Sequence, residues 1–124
     1  MQIIIFTDLD GTLLDEDTYS FKKAITGLKR LKEKNIPLIF CTSKTRAEIE
    51  FYRKKLHNNH PFISENGGGI FIPKCYFTHG NRKGYSIIRF GEDYSKIIRV
   101  IKEIKKKYNI KCFYEMSAEE LAKL

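Results

Sequence analysis

The chain's 124 residues are enough to bury one modest core and too few for two. Hydrophobic residues at 42% and charged residues at 31% exclude a disordered chain, and no apolar stretch approaches the ~20 residues of a membrane span. A formal charge of +8, from 23 basic against 15 acidic residues, suits an anionic ligand and disfavours a basic partner surface.

The run Ile3 to Thr7 is apolar without polar alternation, as expected of a strand buried on both faces. An acidic loop, Asp8 to Asp17, follows. Phe21, Ala24, Ile25, Leu28 and Leu31 then recur at helical spacing, which predicts a helix from Ser20 to Lys34, with Asn35 ending it. Ile36 to Cys41 reads as a second buried strand, its Pro37 near the start where a missing donor is tolerated. A helix over Arg46 to His57 and a short strand at Phe62-Ile63 come next. Strand, helix, strand, helix, strand predicts a parallel sheet faced by helices.

After the triple glycine Gly67-Gly68-Gly69 the pattern changes. Ile70 to Ile72 and Cys75 to Phe77 flank Pro73-Lys74 like a hairpin, and Thr78 to Gly84 reads as a linker. A strand over Tyr85 to Phe90, a helix marked by Ile97, Ile98, Ile101, Ile104 and Tyr108, and a strand over Ile110 to Tyr114 are expected beyond it. Ser117 with Glu120 matches a capping box opening a last short helix. The expected division is 1–78 and 79–124. Cys41, Cys75 and Cys112 are odd in number and show no C-x-x-C spacing, which argues against a disulfide or zinc scaffold and fits a reducing cytoplasm. Met1 to Phe6 lacks the basic leader and cleavage site of a secretory signal.

The chemistry concentrates where the strands end. In an open parallel sheet, ligands bind at the carboxyl ends of strands, and Asp8-Leu9-Asp10-Gly11-Thr12 occupies that position after the first one. If the chain stays extended through Leu9, both carboxylates leave on one side, and Gly11 allows a sharp departure. Close carboxylates repel and need a cation between them or a shared proton, and beside phosphate the usual divalent cation is magnesium. A bare D-x-D could equally be an acidic turn. Thr42 and Ser43, at the second strand end before a helix, read either as a helix cap or as a phosphate cradle, with Lys44 and Arg46 adding positive charge. Their place one strand from Asp8 favours the cradle. At the third strand end, Asn66 lies between a substrate contact and a simple turn, while Gly68 and Gly69 read as turn residues.

Phe6 to Asp15 resembles the nucleophile motif of the haloacid dehalogenase superfamily, D-x-D-x-T, in its phosphatase form. The segments Cys41 to Glu48 and Pro61 to Lys74 resemble the mannosyl-3-phosphoglycerate phosphatase branch, although Ser43-Lys44 stands where broader relatives carry Gly-Arg. The resemblance implies an α/β fold with a Rossmann-like parallel sheet, incomplete here, followed by the start of an α+β cap. It implies Asp8 as nucleophile and Asp10 as general acid and base. Magnesium would be held by Asp8 and Asp10, and phosphate or substrate by Thr42, Ser43, Lys44 and Asn66. The substrate would be mannosyl-3-phosphoglycerate, an anionic small molecule whose dephosphorylated product is mannosylglycerate, a compatible solute of heat-adapted organisms. The superfamily's later lysine and Gly-Asp motif have no counterpart in this chain. Slow turnover by the chain alone is therefore expected, as is self-association or pairing with a complementary chain through an unfinished sheet. The competing reading is a non-catalytic phosphate-binding fragment. A receiver domain would need an aspartate where Ser64-Glu65-Asn66 stands. Nucleic acid and membrane are not expected partners, because most aromatic residues fall at core positions and the basic ones on outer helix faces.

Overall fold

The computed structural model describes residues 3–78 and 83–124. The chain forms two compact units, Met1–Gly91 and Glu92–Leu124. The first contains a five-stranded mixed sheet in the order β1-β2-β3-β4-β5, with β1 Ile5–Thr7, β2 Leu38–Cys41, β3 Phe62–Ser64, β4 Gly69–Pro73 and β5 Tyr85–Arg89. The first three strands are parallel, Phe6 lying opposite Ile39 and Phe40 opposite Phe62, as the alternation of strands and helices predicts. The last two are antiparallel to their neighbours.

The parallel strands are joined by α1 Ile25–Glu33 and α2 Arg46–Lys55. A short 3₁₀ turn, Lys22–Ala24, leads into α1, and Asn35 takes a positive φ of 51° at the helix end, the left-handed position in which asparagine is tolerated. One apolar cluster receives both helices. Leu9, Leu14, Leu38, Phe40, Ile49 and Phe62 are its buried members, with Leu28 and Leu31 of α1 and Tyr52 and Leu56 of α2 packed against them. The inner stripe of α2 includes a cation. Arg53 is only 8% exposed and stacks 4.9 Å from the Phe62 ring centre, between Ile49 and Leu56 in helical register.

β2 meets the expectation of burial on both faces, since Leu38, Ile39 and Phe40 are all buried. β1 does not. It is the edge of the sheet, and Phe6 remains 60% exposed together with Ile3 and Ile4. Its apolar run has one hydrogen-bonded neighbour among the described residues, and the face bearing Phe6 is also left open.

The hairpin also differs from expectation. Cys75 to Phe77 forms a turn rather than a strand, Cys75 having a φ of 64°, and β4 pairs instead with β5. The Lys74 N–H bonds the Gly84 carbonyl at 2.9 Å, which fixes this register. Of the expected linker, residues 79–82 lie outside the described residues. The first compact unit runs to Gly91, since β5 belongs to its sheet.

The second unit holds α3 Tyr94–Ile104 and α4 Ala118–Leu121. Ser117 and Glu120 close the expected capping box, with Ser117 N–H to Glu120 Oε2 at 2.9 Å and Glu120 N–H to Ser117 Oγ at 3.2 Å. The strand expected over Ile110 to Tyr114 is a 3₁₀ turn, Phe113–Glu115, because Glu115 turns back to accept the Cys112 N–H at 3.0 Å. Lys105, expected on a wet face, is half-buried and pairs with the same Glu115. All three cysteines are free.

Candidate active site

The carboxyl ends of β1, β2 and β3 converge on the residues singled out by sequence. Asp8 leaves β1 in extended conformation (φ −74°, ψ 168°), and Asp10 is extended too (φ −68°, ψ 134°). Between them Leu9 is fully buried in the core, so the chain is pinned there while Asp8 stays exposed and Asp10 half-exposed. Gly11 then takes φ +61°, where a side chain would be strained, and the turn closes with Leu14 N–H on the Leu9 carbonyl at 2.8 Å. Asp8 Oδ1 accepts the Leu9 N–H at 2.6 Å, and the Thr7 hydroxyl donates to the Asp8 carbonyl at 2.8 Å.

The β2 end is tied to the β3 end by the backbone. Thr42 N–H reaches the Ile63 carbonyl at 3.2 Å, Asn66 N–H reaches the Thr42 carbonyl at 3.1 Å, and Glu65 N–H reaches the Lys44 carbonyl at 3.1 Å. Three consecutive residues, Glu65, Asn66 and Gly67, have positive φ values of 52°, 54° and 97°, two of them on side-chain-bearing residues. Backbone strain of this kind concentrates where a structure must present groups in one place. Asn66 is exposed, and the neighbouring Ser64 Oγ is buried with no hydrogen-bond partner among the described residues.

The two readings of Thr42 and Ser43 separate here, because the residue capping α2 is Thr45. Its N–H and hydroxyl both donate to Glu48 Oε2, at 2.9 and 2.7 Å. Those bonds hold the Glu48 carboxyl below its ordinary range. Thr42, 2% exposed, and the exposed Ser43 are thereby spared capping, and Thr42 Oγ1 accepts only a long 3.4 Å bond from the Lys44 N–H.

Lys44 reaches across from the β2 end to the aspartate loop. Its ammonium is 3.0 Å from Asp10 Oδ2 and 3.8 Å from a Glu48 oxygen, over the rings of Tyr19 and Tyr52 at 5.4 and 6.0 Å. Burial alone would lower its pKa, but the bond to Asp10 and the charges of Asp10 and Glu48 outweigh that and raise it. Tyr19 reaches this place on a loop closed by Asp15. Lys23 at 2.8 Å and the Thr18 hydroxyl at 2.9 Å bond the Asp15 carboxyl and hold it to about 2. The helical spacing gives Tyr52 as an apolar position and singles out neither it nor Tyr19 for the site, since nothing local ties an aromatic residue to a lysine on another element. The Thr45/Glu48 spacing, by contrast, is a legible capping signal. Arg46, the other added cation, bonds Glu50 at 2.8 Å and stacks on Phe71 and Tyr85.

A magnesium ion prefers hard oxygens and takes one or two carboxylates with waters and phosphate oxygens completing its shell. The Asp8 carboxylate and the Asp10 carbonyl are donors of that kind, and Asp10 Oδ1 is buried without a hydrogen-bond partner among the described residues. No cluster of three or more His, Cys, Asp and Glu able to hold a metal occurs among those residues. The Asp8 and Asp10 oxygens suit a magnesium shell completed by water and phosphate oxygens. A cavity of about 340 Å³ lined by Gly11, Thr12, Asp15 and Lys23 borders the aspartate loop. A groove of about 570 Å³ beside α2, lined by Arg53, Lys54 and His57, contains none of the aspartates or Thr42.

Residues 5–120 match the family of haloacid dehalogenase-like hydrolases. A glucosyl-3-phosphoglycerate/mannosyl-3-phosphoglycerate phosphatase of Methanococcoides burtonii is 52% identical over 130 aligned positions, covering 99% of this chain and 48% of that protein. A mannosyl-3-phosphoglycerate phosphatase of Pyrococcus furiosus is 40% identical over 97% of this chain and 50% of its own length. The chain thus spans about half the length of the curated relatives it matches. Among solved structures, protein 0175 of Thermoplasma acidophilum superposes with a TM-score of 0.67 at 21% identity, over 91% of this chain and 45% of the other, a likeness of fold.

Proposed function

The chain belongs to the haloacid dehalogenase-like hydrolases, and we propose that it carries the nucleophilic half of a magnesium-dependent phosphatase acting on mannosyl-3-phosphoglycerate. The observation that supports this most is the placing of the exposed Asp8 and the half-exposed Asp10 at one strand end, with the hydroxyls of Thr42 and Ser43, neither of which caps α2, at the next.

In this reading an Asp8 carboxylate oxygen attacks phosphorus, and the bond from phosphorus to the substrate oxygen breaks. Asp10 gives that departing oxygen its proton. Water then attacks the aspartyl phosphate while Asp10 takes a proton from it, and the bond to Asp8 breaks to release inorganic phosphate. Thr42, Ser43 and the main-chain donors around them hold the phosphoryl oxygens, with Asn66 toward the rest of the substrate. The Asp8 carboxylate and the Asp10 carbonyl would hold magnesium, which when bound would neutralise charge on the transferring group. The substrate assignment rests on the names of the relatives.

The open edge of β1 supports a second component of the reading, namely that full activity needs further structure beside the strand bearing both aspartates. Magnesium with beryllofluoride, a mimic of a phosphorylated aspartate, tests the first component. Bound-state ¹⁹F signals are expected with the wild-type chain and with Asp10→Asn, and none with Asp8→Asn. Wild type without such signals would sink the proposal. Turnover of mannosyl-3-phosphoglycerate by the chain alone is expected to be slow, and robust magnesium-dependent turnover abolished by Asp8→Asn would remove the need for a second component.

A further inference from the structure

We propose that Lys44 is a positioning residue for Asp10: its ammonium fixes the carboxyl that moves the proton, instead of binding the substrate phosphate. The inference rests on the phosphatase reading above and assigns a role within it.

Four contacts carry it. Lys44 Nζ lies 3.0 Å from Asp10 Oδ2, and the lysine side chain is only 12% exposed. The rings of Tyr19 and Tyr52 lie at 5.4 and 6.0 Å, and a Glu48 oxygen at 3.8 Å adds a second anion. Lysine is ordinarily a mobile point charge on a flexible stem. Here two aromatic faces and two carboxylates hold it, and reaching a phosphate would require giving up Asp10. Its main chain is held too, the N–H on Thr42 Oγ1 and the carbonyl accepting the Glu65 N–H at 3.1 Å. The β2 and β3 ends therefore locate the cation that locates Asp10.

The consequence is specific to chemistry. A carboxyl with one oxygen tied to a fixed cation cannot spin about its Cβ–Cγ bond, so Asp10 meets the substrate oxygen in one orientation. Proton delivery matters when the leaving group is an alkoxide. It matters little when the leaving group is p-nitrophenolate, which departs without a proton. A residue that merely supports the fold would affect both esters alike, and a phosphate ligand would weaken binding of both.

The test compares wild type with Lys44→Met, which keeps the stem, and Lys44→Arg, which keeps the charge. Beryllofluoride with magnesium probes the phosphoryl site, and turnover is measured on p-nitrophenyl phosphate and on mannosyl-3-phosphoglycerate. For Lys44→Met we expect beryllofluoride affinity and KM within about threefold of wild type. We expect kcat on the sugar ester to fall roughly 10- to 100-fold, a part of the 10²–10⁴-fold that general acid–base groups contribute, with a several-fold smaller loss on the aryl ester and recovery in Lys44→Arg. A tenfold or greater loss of beryllofluoride affinity, or equal losses on both esters, overturns the proposal. A wild-type chain that turns over neither ester is a failure of the phosphatase reading as an activity. The ¹⁵N signal of the Lys44 ammonium then decides its placement: loss in Asp10→Asn supports the pair, and persistence overturns it.

Discussion

Replacing Arg53 by methionine keeps an unbranched stem in the inner stripe of α2 and removes the guanidinium. Two charge-assisted hydrogen bonds disappear, Nη1 to the Tyr85 hydroxyl and Nη2 to the His60 carbonyl, each 2.7 Å long. Bonds from a charged donor contribute about 1.5–3 kcal/mol each. Tyr85 and His60 are both half-buried, so water can reach the acceptors left behind, and the low end applies: about 3 kcal/mol together. Against this, Arg53 is 8% exposed and its Nε is buried with no partner among the described residues, a burden of about 1 kcal/mol that methionine relieves. The net expectation is a loss of about 2 kcal/mol. Urea unfolding should show it as a midpoint about 1 M lower, with a slope of about 1–3 kcal/mol/M. Arg53→Lys, which retains charge but not the planar fork, should fall between the two. Arg53→Met within about 0.5 kcal/mol of wild type, or above it, would mean that burying the cation cancels its bonds, a known outcome for buried charges.

Other expectations follow from single contacts. Burial and the charge of Arg53 lower the His60 pKa, so below its ordinary 6.5 the unfolded chain takes up the proton first. Stability should therefore decline as the pH falls from 6.5 toward the folded-state value, and chemical denaturation of His60→Asn should show a flatter profile there. Gly11→Ala meets no atom within 4 Å, so only backbone strain opposes it, a loss of about 1–2 kcal/mol by thermal melting, and a much larger loss would reveal a contact not accounted for. If β1 associates with a second copy, Phe6→Glu should shift a concentration series in sedimentation toward monomer, whereas a wild-type chain that is monomeric throughout would exclude self-association at that edge. Asn66→Val places a β-branched residue at φ 54° and should destabilise more than Asn66→Gly, by about 1–2 kcal/mol; equal melting temperatures would show that the turn relaxes.

What could be read from sequence was what depends on neighbours in sequence. The Asp8-Leu9-Asp10-Gly11 turn, the apolar run of β2, the asparagine ending α1 and the Ser117/Glu120 box are all decided within a few residues. Whatever depends on a distant pairing was not legible. Cys75 to Phe77 has a strand's composition, yet β4 takes Tyr85–Arg89 as its partner. Ile110 to Tyr114 has it too, but Glu115 folds back on Cys112 instead. The Ile3 to Phe6 run reads as doubly buried because apolarity records what a strand can bury. How much it does bury depends on its place in the sheet, and β1 is at the edge.

The basic surplus shows the same limit at the level of function. A charge of +8 and two cations beside Thr42 invite the inference that positive side chains draw the phosphate in. In the folded chain Lys44 is committed to Asp10 and Glu48, Arg46 to Glu50 and two aromatic rings, and Arg53 to Tyr85 and His60. An ammonium that faces a carboxylate at 3.0 Å contributes little net field to an approaching dianion. The proposed phosphate site must then work through short-range donors, the Thr42 and Ser43 hydroxyls and the backbone N–H groups near the start of α2, together with the cation that Asp8 would hold. That division of labour makes a distinguishing demand. Phosphate-analogue binding should depend steeply on magnesium and on Thr42, and weakly on Lys44, even though the sequence makes the lysine the more obvious anion ligand.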